Sequence, residues 1–291
     1  MKNTKKGLFL VIISGIVFGI MPSAVTFCYS KGVDKLLVLM FRYLGLAIVL
    51  LPSVLKQKNI FTFYTKNFFK LFWLSLAGVS TPLLLYSAYS LLPTGVVTTV
   101  HFLYPTIVAL MCIVIFREKL SKLKGICLAL CVIGMFLMLD TSGQKLNPAG
   151  LIIAIASAFT WSVYIILLDK LDFSGASSAQ IMFCVGINGV ALSAIAALFS
   201  GISLAVPPIG WISLVGVSMF ISVFGVLFFA SGVRETDAQV SAIASTLEPI
   251  TSIFVGVVFL KEKITPLTAI GAVMILAAVI LLSLYGNRSA D

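Results

Sequence analysis

The sequence predicts an all-α membrane protein with ten transmembrane helices, arranged as two inverted repeats of five helices each. Hydrophobic residues make up 60% of the 291 residues and charged residues only 10%, a composition that excludes an ordinary soluble domain. Apolar stretches of about 20 residues recur along the chain, which is the length an α-helix needs to cross a bilayer. They lack the alternation of apolar and polar residues found in the strands of a membrane barrel, so helices are expected.

Two blocks of the chain resemble each other at a constant separation of 144 residues. The matching pairs are Pro105 with Pro249, Glu118 with Glu262, Lys119 with Lys263 and Ser121 with Thr265. Each block is a hydrophobic span with a proline near its middle, followed by a short charged loop. A duplicated set of membrane helices is typical of many secondary transporters, whose substrate sites lie where the repeats meet.

The ten predicted spans, numbered 1 to 10, cover residues 7–29, 34–55, 69–91, 94–116, 122–140, 148–169, 178–200, 209–232, 237–260 and 266–286. Span 1 follows three lysines, but it is too long for a signal peptide and has no convincing cleavage site, so it is expected to remain uncleaved. Prolines mark where four later spans begin. They are Pro93 before span 4, Asn147-Pro148 before span 6, Pro207-Pro208 before span 8 and Thr265-Pro266 before span 10. Asparagine and threonine supply capping side chains there.

The spans are expected to form one membrane domain made of two halves, 1–140 and 148–286. Because each half has an odd number of helices, the second half must enter the membrane from the opposite side. With both termini in the cytoplasm, fourteen Lys and Arg residues lie on the cytoplasmic side and five on the other, and Arg42 lies within span 2. This bias follows the positive-inside rule and predicts a multi-pass protein of the inner (plasma) membrane.

The net charge of +10 does not indicate a nucleic-acid partner. The basic residues are scattered over short loops and form no continuous groove with stacking aromatic residues. The five cysteines fall within predicted spans and none are spaced as CxxC, so neither a metal site nor a disulfide framework is expected, and no cofactor is predicted. The expected partners are a small-molecule substrate and the lipid bilayer, and both a monomer and a homodimer remain open.

The chain resembles the EamA type of the drug/metabolite transporter superfamily over essentially its whole length. The resemblance rests on ten spans in two halves, on Pro105 with Glu118, on Pro249 with Glu262, and on Arg42 in span 2. It implies that spans 1, 3, 4, 6, 8 and 9 surround a central cavity and that spans 2, 5, 7 and 10 lie outside them. Members of this family include exporters of amino acids and other small metabolites, and some importers.

Span 9 carries a polar stripe. Ser241, Ser245, Glu248 and Ser252 are spaced so that they share one face of a helix. The separation of 144 places Val97, His101, Tyr104 and Val108 at the equivalent positions of span 4. Equivalent positions of an inverted repeat face each other, so His101, Tyr104, Ser245 and Glu248 are predicted to line one cavity and to contact the substrate.

Glu248 and His101 are the candidates for proton coupling. A carboxylate deep in a membrane helix is costly and therefore rarely idle, and Glu248 could neutralise a substrate ammonium or bind a coupling proton. The alternative is that it only bonds groups freed by Pro249. His101 could relay protons or donate to a substrate carboxylate. The alternative is a neutral ring bonded to a hydroxyl such as that of Thr98.

Aromatic residues are a second set of candidates for the substrate site. They are Phe18, Tyr86, Trp161 and Tyr164. Such walls suit an amine or a hydrophobic amino acid through cation–π and apolar contact, although aromatic residues also simply pack helix bundles. Arg42 is expected to bond backbone carbonyls or lipid phosphate, since span 2 is peripheral by the resemblance.

Other features are assigned structural roles. Gly15 and Gly19 form a GxxxG pattern that permits close helix packing. Glu118 and Glu262 are expected to form ion pairs or caps at helix ends.

The resulting functional prediction is a secondary transporter, not an enzyme, that moves a small metabolite by alternating access. An amino acid or related amine is the predicted substrate, and export is favoured by the resemblance. Three alternatives stay open: uptake of a cationic amine such as choline, a membrane receptor or scaffold that binds without transporting, and an intramembrane enzyme. The last requires a catalytic constellation that one histidine and one mid-span glutamate do not supply.

Overall fold

The computed structural model describes residues 3–56, 60–92, 94–138, 147–173, 175–260 and 265–285, and the regular secondary structure of these residues is helical, with no strand. The first half holds α1 (Thr4–Ser30), α2 (Lys35–Leu55), α3 (Ile60–Lys66), α4 (Phe68–Tyr89), α5 (Thr94–His101), α6 (Tyr104–Val114) and α7 (Lys122–Met138). The second half holds α8 (Pro148–Lys170), α9 (Ser178–Ser200), α10 (Pro208–Phe220), a π-helical segment (Ile221–Leu227), α11 (Phe228–Glu235), α12 (Ala238–Ala244), a 3₁₀ segment (Ser245–Leu247), α13 (Glu248–Leu260) and α14 (Pro266–Tyr285).

The all-α membrane fold predicted from the sequence is confirmed. Seven helical runs among the described residues are long and apolar enough to cross a membrane, by length and composition, and they correspond to predicted spans 1–4 and 6–8. Spans 5, 9 and 10 correspond to α7, to α12 with α13, and to α14, and their status as full spans stays a prediction. Pro93, Glu262, Lys263 and the join between the halves before Asn147 lie outside the described residues.

Two of the predicted helix starts have the expected caps. The Asn147 side chain accepts hydrogen bonds from the amides of Ala149 (2.9 Å) and Gly150 (3.3 Å) at the start of α8. At the start of α14, the Thr265 hydroxyl accepts from the amide of Thr268 at 3.2 Å. These bonds satisfy amides that have no partner within the helix, so each helix begins where the sequence indicates.

Helix α3 was not predicted from the sequence, where residues 56–68 read as a loop. It is too short to cross a membrane and packs Ile60, Phe63 and Tyr64 against the core. The Tyr64 hydroxyl donates to Asn188 Oδ1 at 2.6 Å. Burial, reinforced by the nearby Cys184, raises the pKa of Tyr64, so this hydroxyl stays a donor. The bond anchors α3 to α9.

The main pairs of packed helices either join equivalent spans of the two halves or have a counterpart in which the two halves change places. α2 packs against α9, and α7 packs against α14. α4 packs against α8, and the exchanged pair is α1 with α11 and the π-helical segment. This is the pattern that the predicted two-fold relation between the halves requires. It brings α1, α4, α6, α8 and the segments of spans 8 and 9 together in the middle of the bundle.

The GxxxG pattern of α1 lies where this helix crosses span 9. A Cβ atom on Gly19 would lie 2.4 Å from Thr251 Cβ and 2.5 Å from the Glu248 carbonyl oxygen. A Cβ atom on Gly15 would lie 3.7 Å from its nearest neighbours, which is ordinary contact. The close-packing interpretation is therefore confirmed at Gly19, and the contact holds the backbone of Glu248 against α1.

Candidate functional site

Spans 4 and 9 are both interrupted at a proline, at equivalent positions of the two halves. A proline has no N–H, so the carbonyl four residues earlier loses its helical partner. In span 4, α5 ends at His101 and α6 begins at Tyr104, one residue before Pro105. In span 9, the 3₁₀ segment leads into α13, which begins at Glu248, one residue before Pro249. The interruptions place His101 and Glu248 at helix ends inside the bundle.

A cavity of about 430 Å³, here called the main cavity, lies among α1, α2, α4 and the start of α13. Its volume is within the range of pockets that bind small molecules. The described residues that line it are Phe18, Met21, Val25, Tyr29, Lys35, Leu85, Tyr86, Tyr89, Ser90 and Glu248. Tyr29, Lys35 and Ser90 are exposed and lie at the end of α1, the start of α2 and the end of α4. The main cavity therefore opens at that end of the bundle.

A second cavity of about 50 Å³, the small cavity, adjoins the main cavity. Phe18, Met21, Leu85 and Glu248 line both. The other described residues that line the small cavity are Arg42, Thr81, Pro82, His101 and Trp161. Together the two spaces form a site with a wide, largely apolar part and a narrow end that contains a guanidinium, an imidazole and a carboxylate.

Glu248 lies at the junction of the two cavities. Its side chain is partly exposed to them. Among the described residues, its carboxylate makes no hydrogen bond and no ion pair within 4 Å. The alternative in which Glu248 only bonds groups freed by Pro249 requires such a bond. The structure instead leaves the carboxylate available to a ligand.

Arg42 also faces the small cavity, which the sequence did not indicate. Its side chain is buried, with Nη1 3.7 Å from Met21 Sδ and the guanidinium carbon 5.6 Å from the centre of the Phe18 ring. The guanidinium is close enough to interact electrostatically with the Glu248 carboxylate. The expectation of a lipid phosphate partner for Arg42 is wrong, because this face of α2 is turned inward towards α1.

His101 and Tyr104 form hydrogen bonds between the two halves. His101 Nδ1 lies 2.9 Å from the hydroxyl of Ser157 on α8, so the hydroxyl that holds the ring is Ser157 rather than the suggested Thr98. The Tyr104 hydroxyl lies 2.7 Å from the Ser245 hydroxyl. Of the four residues predicted to share a cavity, His101 and Glu248 line the small cavity. Tyr104 and Ser245 are fully buried behind it and line neither cavity.

The aromatic candidates fall into two groups. Phe18 lines both cavities, Tyr86 lines the main cavity and Trp161 lines the small cavity. Tyr164 is buried and stacks on Trp161, with ring centres 5.1 Å apart. Phe229 stacks on the same indole, with ring centres 5.0 Å apart. This residue was not predicted from the sequence, because the residue 144 positions earlier, Leu85, is not aromatic and so did not mark the position. The stacked rings fix the orientation of Trp161 at the site.

The π-helical segment of span 8 positions Phe18. The Ser14 hydroxyl donates to the Gly225 carbonyl at 2.9 Å, and a Cβ atom on Gly225 would lie 2.6 Å from Phe18 Cε1. π-helical turns inside α-helices are frequent at functional sites. Here the absence of a side chain at residue 225 lets the Phe18 ring lie against span 8 rather than fill the small cavity.

The opposite end of the bundle is held together by charged groups. Lys170 pairs with Glu118, and Gln239 Nε2 donates to Glu118 Oε2 at 3.0 Å. Lys124 pairs with Asp237 at 3.1 Å. These bonds confirm the ion-pair role expected for Glu118. The Lys70 ammonium, near the start of α4, donates to the carbonyl of Asp172, which closely follows Lys170 in the chain. The ion pairs therefore lie near the start of α4, at the end of the bundle away from Ser90. Described residues of the two halves are thus linked where the main cavity does not open.

Comparisons with known proteins agree with this architecture. Residues 5–140 and 148–284 each match the EamA-like transporter family. Protein PecM of Dickeya dadantii (strain 3937) is 23% identical over 223 residues, which are 72% of each chain. The uncharacterized transporter YetK of Bacillus subtilis (strain 168) is 25% identical over 234 residues, which are 77% of this chain and 68% of that one.

Two further comparisons extend over most of the chain. An uncharacterized transporter of Archaeoglobus fulgidus is 24% identical over 196 residues, which are 66% of this chain and 67% of that one. A protein crystal structure has a TM-score of 0.81 at 17% identity and covers 99% of this chain and 100% of its own, a likeness in fold alone. With both halves matched by the family, the chain belongs to the EamA-like transporter family, whose members are integral membrane transporters.

Proposed function

We propose that this protein is a secondary transporter that moves an amino acid or a related amine across the cell membrane by alternating access, with export favoured. The observation that carries the proposal is the Glu248 carboxylate. It faces a cavity of about 430 Å³ and has no bond to another described residue. The Arg42 guanidinium interacts with this carboxylate electrostatically but forms no ion pair with it within 4 Å, so an ammonium group or a proton is the expected close partner.

The walls of the main cavity suit the rest of such a substrate. Val25, Leu85 and Met21 supply apolar surface, and the rings of Phe18 and Tyr86 can contact an ammonium or an apolar side chain. The polar groups in the described lining are the Glu248 carboxylate, the Lys35 ammonium and the hydroxyls of Tyr29, Tyr86, Tyr89 and Ser90, and Tyr29, Lys35 and Ser90 lie at the opening. A carboxylate beside aromatic and apolar walls suits a small amphipathic metabolite.

Proton coupling is proposed for Glu248 and His101. Both line the small cavity. The bond between His101 Nδ1 and Ser157 holds the imidazole in place and leaves Nε2 for a proton or a ligand. Exchange of a proton for a substrate ammonium at the same carboxylate would couple the two fluxes.

We further propose that both termini are cytoplasmic and that the halves have inverted topologies. With this orientation the opening beside Tyr29 and Lys35 faces the outside, and the ion pairs of Glu118 face the cytoplasm. The described arrangement then corresponds to an outward-open state. The return step requires the cytoplasmic ion pairs to separate while α1 and α4 close over the main cavity.

The experiment is solute uptake into proteoliposomes. Labelled amino acids and amines, including choline, are tested with and without an imposed pH gradient, for wild type, Glu248→Gln and Glu235→Gln. The last variant makes the same chemical change at a peripheral glutamate that bonds Asn3 and Lys6. Saturable uptake of one class that only Glu248→Gln abolishes supports the proposal. If the folded protein binds a ligand but transports none of the tested solutes, the result contradicts the transport proposal and favours a receptor.

A further inference from the structure

Two opposite charges, on Arg42 and Glu248, face the same small cavity. They come from different helices, α2 and α13, and therefore from different halves of the chain. Arg42 is only 8% exposed. Burying a guanidinium is expensive, and such a residue in a membrane protein generally faces an interior path or ligand.

The chemistry of this pair matches a zwitterion. A guanidinium presents a planar fork of donors that suits a carboxylate, and a carboxylate suits an ammonium. The Glu248 carboxylate has no bond to another described residue, so it retains its capacity to accept from a ligand. Packing of Arg42 against Met21 and the Phe18 ring orients the guanidinium at the cavity.

The sizes of the two cavities divide such a ligand into head and side chain. A space of about 50 Å³ holds a few water molecules or a small charged group. The adjoining space of about 430 Å³ is bordered by Leu85, Val25 and Tyr86 and can hold an apolar side chain. We propose that Arg42 binds the carboxylate and Glu248 the ammonium of an α-amino acid whose apolar or aromatic side chain lies in the main cavity. This inference rests on the proposed transport function and narrows its substrate class.

Arg42 also disfavours the competing substrates. A simple amine or choline would place its cation beside Glu248 but within reach of the guanidinium, with no carboxylate to offset the repulsion. Selectivity commonly depends on such an unfavourable charge as much as on the attractive one. An amino acid should therefore bind more tightly than the amine that shares its side chain.

The test uses three probes with one skeleton: L-phenylalanine, 2-phenylethylamine, which lacks the carboxylate, and 3-phenylpropionate, which lacks the ammonium. Their dissociation constants are measured by calorimetry on purified wild type, Arg42→Gln, Arg42→Lys and Glu248→Gln. Wild type should bind L-phenylalanine at least about tenfold more tightly than either fragment, since each lost charged contact is worth a factor of that order. Arg42→Gln should bind L-phenylalanine about tenfold less tightly than wild type and should bind 2-phenylethylamine at least as tightly, because the repulsion from the guanidinium is removed. Arg42→Lys should fall between.

Glu248→Gln supplies the mirror experiment, because it should weaken the binding of L-phenylalanine and bind 3-phenylpropionate at least as tightly as wild type, since the repulsion between two carboxylates is removed. A purely structural role of Arg42 would weaken all three probes together, which overturns the inference. The inference is also overturned if wild type binds 2-phenylethylamine as tightly as L-phenylalanine, or if it binds none of the three probes. The wild-type series decides even if Arg42→Gln fails to fold. If an amine is transported and Arg42→Gln leaves that transport intact, the transport function stands and the zwitterion assignment fails.

Discussion

At the scale of single residues, the polar side chains around the site differ in whether they face a cavity or each other. Glu248 and Arg42 line the small cavity, whereas Tyr104 and Ser245 hydrogen-bond each other in the core. Sequence periodicity places Ser241, Ser245, Glu248 and Ser252 of span 9 on one face but does not show how deeply each is buried. The structure makes that distinction, because it shows which side chains border a cavity and which contact only other residues.

Tyr104→Phe should therefore leave ligand affinity within about twofold of wild type. The Ser245 hydroxyl still donates to the Ser241 carbonyl at 2.9 Å, so no buried donor is stranded, and the stability loss should be about 1 kcal/mol. Calorimetric binding and thermal unfolding of the purified variant test this. A loss of affinity of tenfold or more with normal stability would place Tyr104 at the ligand after all.

At the scale of helices, close contact and interrupted segments position the site. α1 touches the start of α13 at Gly19 and the π-helical segment at Gly225, and Phe18 lies between these two contacts. The glycines matter because each lets a neighbouring backbone or ring approach where a methyl group has no room. Shifts in either contact should change the shape of the cavity that Phe18 lines.

Gly19→Ala should destabilise the protein and reduce transport, whereas Gly15→Ala should not. At Gly19 the added Cβ meets the Glu248 carbonyl oxygen at 2.5 Å, and a backbone atom cannot move aside without displacing α13. Overpacking of this kind costs about 1–3 kcal/mol. Thermal unfolding of both variants in detergent tests the difference, and equal melting temperatures would contradict the close contact of α1 with α13.

Gly225→Ala should lower ligand affinity by about tenfold while the fold is retained. The added methyl group would lie 2.6 Å from Phe18 Cε1, so the ring must move away from span 8 into the space of the cavities that it lines, where the ligand is proposed to bind. Gly216→Ala is the control, because no atom lies within 4 Å of a Cβ there. Unchanged affinity in Gly225→Ala would show that Phe18 is not held by span 8.

At the scale of the whole molecule, the sequence predicts much of the fold but not all of the site. The duplicated Pro105 and Pro249 blocks indicate two halves with interrupted central helices, and interruptions occur at both prolines. The contact of Arg42 with the small cavity was not predicted, because a single cation in a mainly apolar helix does not show which neighbouring helix it faces. The π-helical segment carries no proline, and the amphipathic pattern of α3 covers only seven residues, which is too short a window for periodicity to predict a helix.

The ion pairs opposite the opening are predicted to hold that end closed. Glu118→Gln removes the negative charge that pairs with Lys170 and accepts a hydrogen bond from Gln239. Both side chains of the ion pair are about one-third exposed, and such pairs contribute about 1 kcal/mol or less to stability. Local opening should then increase up to about fivefold. Cys112 is buried beneath this cluster and reports the opening, and Cys28, buried near the other end, serves as the reference.

Maleimide labelling followed by mass spectrometry measures both cysteines in one sample. Faster labelling of Cys112 alone in Glu118→Gln would agree with closure by these charges. Equal acceleration at Cys28 would instead indicate general destabilisation, and no change at Cys112 would show that the ion pairs do not control access.

Counterflow in proteoliposomes is the most direct test of the central claim, that this protein transports an amino acid by alternating access and that Glu248 binds the amino acid during transport. Vesicles are loaded with unlabelled L-phenylalanine and diluted into trace labelled L-phenylalanine, so neither a coupling ion nor a preferred direction is needed. Wild type and Glu235→Gln should accumulate label transiently above equilibrium, and Glu248→Gln should not. Equal counterflow by Glu248→Gln, or none by folded wild type that binds L-phenylalanine, would contradict the account.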